Sequence, residues 1–121
     1  MHKIGDHIDD DNEQLKMGEG YDIFYYCGSD DNTLKHAADV YESETGRTMA
    51  VWTTEPGVQL YSANFLNGAT GKNGKKHLRR EALCLETSHA PDSVNQPNFP
   101  STILKADEEF YSRTDYVFGV K

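Results

Sequence analysis

Residues 39–54 read DVYESETGRTMAVWTT, and the way this stretch folds decides the class of the chain. Just upstream, Leu34, Ala37, Ala38 and Tyr41 fall at i, i+3, i+4 and i+7, the apolar stripe of a helix. The alternative is a strand through Asp39-Val40-Tyr41-Glu42 that enters a turn at Ser43-Glu44-Thr45 and closes at Gly46. Its partner strand would run from Arg47 to Thr54, where Met49 and Val51 alternate with Thr48, Ala50 and Trp52. The helical stripe gains no support from a second turn. The hairpin is therefore the expected structure.

The flanking sequence agrees with a chain of strands. YDIFYYC at 21–27 is rich in aromatics and reads as a strand. Glu55-Pro56-Gly57 reads as a turn, with proline fixing one dihedral and glycine supplying the unusual one. Strands are expected at 58–64 and 82–87, with a loop rich in Gly and Lys over 67–76. Three of the four prolines lie in 90–102, which should be irregular. Residues 103–104 and 111–118 read as the last strands. No internal repeat is present, so the pattern is all-β: an antiparallel sandwich or part of one. Residues 1–19 are polar and carry the acidic run Asp9-Asp10-Asp11, which reads as an extended or disordered arm.

Composition narrows the function classes. The 121 residues suffice for one compact domain, and the apolar fraction of 36% implies a thin core or a surface that another chain completes. Twelve Lys and Arg against twenty Asp and Glu leave a net charge of -8, which argues against nucleic acid or an anionic membrane as partner. Residues 1–44 hold 12 acidic and 3 basic residues, whereas Lys72, Lys75, Lys76, Arg79 and Arg80 cluster in what reads as a solvated loop. The sequence has no long apolar run and no basic-then-apolar leader. Cys27 and Cys84 lack a CxxC spacing and read as buried small hydrophobes of a reducing compartment, the cytoplasm. No metal site is expected. The histidines form no HxH or HExxH pair, and Asp9, Asp11 and Glu13 do not complete a calcium loop.

Three polar residues fall on strands and ask for a reason. In REALCLET, period-two geometry puts Leu83 and Leu85 on one face and Ala82, Cys84 and Glu86 on the other, where small side chains leave room beside a carboxylate. Val58 and Leu60 oppose Gln59, Tyr61 and Ala63, and a Gln beside a Tyr suits hydroxyls and sugar ring faces. Asp22 follows Gly20-Tyr21 and either binds a hydroxyl pair or caps a turn. For each residue, pattern alone favours the plainer solvent-facing or turn role. His89 is the one histidine near a candidate acid.

Taken in order, GEGYD, TTEPGVQLYSANFLNG and LCLETSHAPDSVNQPNFPSTIL resemble the C-terminal third of the aldose 1-epimerase (galactose mutarotase) family, over about residues 12–118. The resemblance implies an all-β, antiparallel sandwich of the galactose mutarotase type. Residues 20–121 would form its C-terminal portion, and 1–19 a polar arm. By position it implies that Glu86 is the general base that takes the proton from the anomeric hydroxyl, and that Asp22 and Gln59 bind sugar hydroxyls. The implied reaction is an isomerisation of carbohydrate metabolism: a hexose such as galactose or glucose opens, rotates about C1–C2 and recloses as the other anomer, with no cofactor or metal. Ile23, Phe24-Tyr25 and Ser88 depart from the family pattern. The family's general-acid histidine and a second sugar-binding histidine lie upstream of GYD, and residues 1–19 supply neither. The expected partners are thus a hexose and either an N-terminal half chain or further copies of this one. The alternatives are a carbohydrate-binding or structural module without turnover, and an inactive fragment.

Overall fold

The computed structural model describes residues 2–28 and 31–121 of the chain. Its strands are β1 (Asp22–Tyr26), β2 (Lys35–Tyr41), β3 (Arg47–Thr53), β4 (Gly57–Tyr61), β5 (Ala69–Thr70), β6 (Lys76–His77), β7 (Cys84–Ser88) and β8 (Thr114–Val120). Two short helices, α1 (Ile4–His7) and α2 (Glu13–Gly18), precede them. The strands form sheets in the orders β1-β4-β7, β2-β3-β8 and β5-β6. The architecture is antiparallel all-β. The chain divides into two compact units, Met1–Tyr25 with Gln59–Glu86, and Tyr26–Val58 with Thr87–Lys121.

The second unit holds the hairpin expected from residues 39–54. Strands β2 and β3 pair from Lys35↔Thr53 to Tyr41↔Thr48, with a bulge between His36 and Ala38 that spoils any helical reading of the stripe. The Glu42 carboxylate ties the turn by accepting the N–H groups of Glu44 (2.6 Å) and Thr45 (2.9 Å). At Gly46 φ is +73°, and a Cβ there would stand 2.5 Å from the Lys121 carbonyl oxygen, so glycine is required. β3 is paired on both sides, by β2 and by β8 over Arg47↔Val120 to Thr53↔Thr114. Being central, it supplies the fully buried Val51 and Thr53.

Several expectations need correction in this unit. Residues 103–104 form no strand, and Ile103 and Leu104 are exposed. The last strand begins at Thr114 instead of Tyr111 and ends at Val120 instead of Phe118, because its ladder follows the span of β3. Gly57 adopts no positive φ; it simply opens β4 behind a fully buried Pro56.

In the first unit, residues 2–19 are not extended. Asn12 caps α2, its side-chain oxygen accepting the N–H groups of Gln14 (2.9 Å) and Leu15 (3.4 Å). The helix ends at Glu19 in the left-handed conformation, and the Gly20 N–H returns to the Leu15 carbonyl at 2.9 Å. Ile8 and Leu15 are buried. The acidic run is also partnered locally: Asp9 takes a two-pronged bond from Arg80 (2.7 and 3.0 Å), Asp10 is hydrogen-bonded to His7 and Asp11 pairs with Lys16. The basic cluster is thus only partly a solvated loop. Arg79 and Arg80 both donate to the Glu19 carbonyl, at 2.8 and 2.9 Å, and fasten the helical segment in place.

Candidate functional site

Asp22, Gln59 and Glu86 all belong to the first unit, on the three strands of one sheet, with the strand of Gln59 in the middle. What positions Asp22 is the tight GYD turn. Gly20 has φ +140°, and a Cβ there would fall 2.3 Å from Asn64 Oδ1. Asn64 is 2% exposed and spends its amide on this turn. Its Nδ2 donates to the carbonyls of Gly18 (2.7 Å) and Tyr21 (2.9 Å), and its Oδ1 accepts the Ser62 hydroxyl at 2.6 Å. The Ser62 N–H donates to the Tyr21 carbonyl at 2.9 Å, and the Tyr21 N–H reaches Ser62 Oγ at 3.0 Å. Arg79 Nε holds the Asn64 carbonyl at 3.1 Å. The SAN segment is therefore the mould of the GYD turn, a role the sequence reading did not assign to Ser62 or Asn64. The signal available was a buried-type Asn directly after a strand, with a glycine turn elsewhere that needed polar partners.

From that turn Asp22 enters β1, and Gln59 Nε2 donates to its Oδ1 at 2.7 Å. The pairing leaves Gln59 Oε1 buried and without a protein partner among the described residues. A buried acceptor with no donor costs about 1–3 kcal/mol unless something supplies one. The Asp22 carboxylate is exposed. Tyr61, two residues along from Gln59, stacks on Phe65 with centroids 6.4 Å apart, and its hydroxyl accepts the Phe65 N–H at 3.2 Å. Glu86 stands on β7 next to the strand of Gln59, exposed, with no side-chain partner among the described residues. Asp22 and Gln59 are thus brought into contact, and Glu86 lies one strand away in the same sheet.

In the second unit, His89 Nδ1 lies 3.0 Å from Glu55 Oε2. The Glu55 side chain is only 10% exposed and that of His89 23%. The Glu55 N–H is held by Thr53 Oγ1 at 3.0 Å. Glu55 is expected from the sequence as a turn residue and His89 as the one histidine near a candidate acid; in the structure the acid that His89 meets is Glu55. His7 and His36 are likewise engaged, with Asp10 (2.9 Å) and Asp39 (3.1 Å). Among the described residues no helix is long and apolar enough to cross a membrane.

A family model described as aldose 1-epimerase matches residues 2–117. The chain is similar to galactose mutarotase of Mus musculus, 44% identical over 96 residues that cover 78% of this chain and 28% of the relative. It is similar to galactose mutarotase of Homo sapiens, 40% identical over 114 residues (88% and 33%). Aldose 1-epimerase of Escherichia coli K12 is 34% identical over 112 residues (91% and 32%). The chain spans roughly a third of the length of the curated relatives it matches.

Proposed function

The chain belongs to the aldose 1-epimerase family, and from that premise we propose that it is the C-terminal portion of a hexose-anomer isomerase. Residues 20–121 are the mutarotase-like part of the sandwich, and 1–19 lead into it. Asp22 and Gln59 bind sugar hydroxyls: the carboxylate accepts from them, and Gln59 Oε1 takes the sugar O–H that the protein does not supply. Glu86 is the general base. It removes the proton from O1 while an acid protonates the ring oxygen; the C1–O5 bond breaks, the aldehyde rotates about C1–C2, and ring closure returns both protons. The acid comes from a segment outside residues 1–121, because the family resemblance places the acid histidine upstream of the GYD turn. Galactose or glucose is the substrate, no cofactor takes part, and the two cysteine thiols suit a reducing cytoplasm.

The observation that carries this reading is the Gln59–Asp22 bond with its buried, donorless Oε1, one strand from an unpartnered Glu86. Calorimetric titration with galactose tests it. The chain should bind, and Asp22→Ala should weaken binding by about tenfold or more, in line with loss of a charge-assisted hydrogen bond. No heat with galactose or glucose would remove the proposal. A second reading, hexose binding without turnover, is favoured by the resemblance itself, which gives these residues the base and two sugar contacts but no acid. It keeps the titration result and gives no rate above spontaneous mutarotation in any complement.

A further inference from the structure

Glu55 and His89 form a nearly buried carboxylate–imidazole pair outside the residues assigned above. Burying a carboxylate this far is costly unless it is partnered, so the contact is an organising one. Its place in the chain gives it a task. Glu55 precedes β4 and stands four residues ahead of Gln59; His89 follows β7 and stands three residues after Glu86; β4 and β7 are neighbours in one sheet. The bend at Glu55 is fixed on its other side by the buried Thr53, whose hydroxyl holds the Glu55 N–H, and by the fully buried Pro56.

We propose that the Glu55–His89 pair, through the 3.0 Å contact of Glu55 Oε2 with His89 Nδ1, is a positioning clamp. It holds β4 and β7 in the register that keeps Gln59 and Glu86 at a fixed separation for the sugar. The assignment of those two residues to the sugar rests on the function proposed above; the clamp itself does not. Neither residue touches substrate. Each acts through the strand it adjoins.

Amide hydrogen exchange on the chain without sugar reads the clamp directly. His89→Ala should speed exchange in 57–61 and 84–88 by about tenfold, with β2 (Lys35–Tyr41) unchanged, as expected for local opening. His89→Asn, which keeps a donor close to the Nδ1 position, should bring those rates back towards the original values. Unchanged exchange in His89→Ala, a uniform rise over the whole chain, or no recovery in His89→Asn would overturn the inference. If His89→Ala does not fold, Glu55→Gln, which keeps the shape and loses the charge, is read in the same way. Galactose titration of the folded variants separates the two proposals. A dissociation constant raised about tenfold in His89→Ala and restored in His89→Asn supports positioning. An unchanged constant overturns it. Failure of the unsubstituted chain to bind removes the sugar assignment of Gln59 and Glu86, while the exchange pattern still decides the clamp.

Discussion

Asn64 uses three hydrogen bonds of its amide, all on the turn that delivers Asp22. Because it is buried, Asn64→Ala would take the side-chain donor from the Gly18 carbonyl and one partner each from the Tyr21 carbonyl and the Ser62 hydroxyl, which keep their bonds to one another. The expected loss is about 1–3 kcal/mol, read as a lower urea midpoint with unchanged slope. A loss within about 0.5 kcal/mol, the range of a surface substitution, would contradict this account. At this scale the sequence showed which residues carry polar groups on strands, Asp22, Gln59 and Glu86 among them, because period-two alternation is local. It did not show their partners. The Gln59–Asp22 bond spans 37 residues and the Asn64–Tyr21 bond 43, and nothing local specifies contacts of that range.

Elements show the same division. The β2–β3 hairpin was legible because its turn is written in adjacent residues, from Glu42 to Gly46. The helices within residues 2–19 were not: α2 does carry a local cap at Asn12, but the segment is fastened by Arg79 and Arg80 some sixty to seventy residues later, through Glu19 and Asp9. Arg80 holds the Asp9 carboxyl below the usual aspartate value of 3.8. A lowered folded value means that the pair contributes stability above 3.8, and that this is lost as pH falls through the folded value. Asp9→Asn should therefore lower the melting temperature at neutral pH, and the gap to the unsubstituted chain should close in acid below 3.8. A gap that is constant with pH would rule out the Asp9–Arg80 tie. On β7, Cys84 is exposed, not buried as expected, on the side that alternation shares with Glu86, whereas burial pushes the Cys27 thiol up. A thiol reagent at neutral pH should label Cys84 first, with Cys27 lagging. Equal rates would contradict the open face beside Glu86.

The whole molecule buries few apolar side chains. Among the described residues Ile8, Leu15, Val51, Val58 and Ala63 form the buried hydrophobic set, while Phe110, Phe118 and Val120 are 69–77% exposed. β8 is an edge strand with both of its faces exposed from Tyr116 to Val120, which invites another surface. The low apolar fraction in the sequence already pointed there. Light scattering should find the chain self-associating, and adding the N-terminal two-thirds of a mutarotase-type chain should convert it to a defined complex. A stable monomer unaffected by that addition would count against the reading. Polarimetry of freshly dissolved α-galactose with the complemented chain decides whether Glu86 is the base of an anomer isomerase. Mutarotation should run above the spontaneous rate and fall by about 10²–10⁴-fold in Glu86→Gln; equal rates for the two proteins would contradict that role for Glu86.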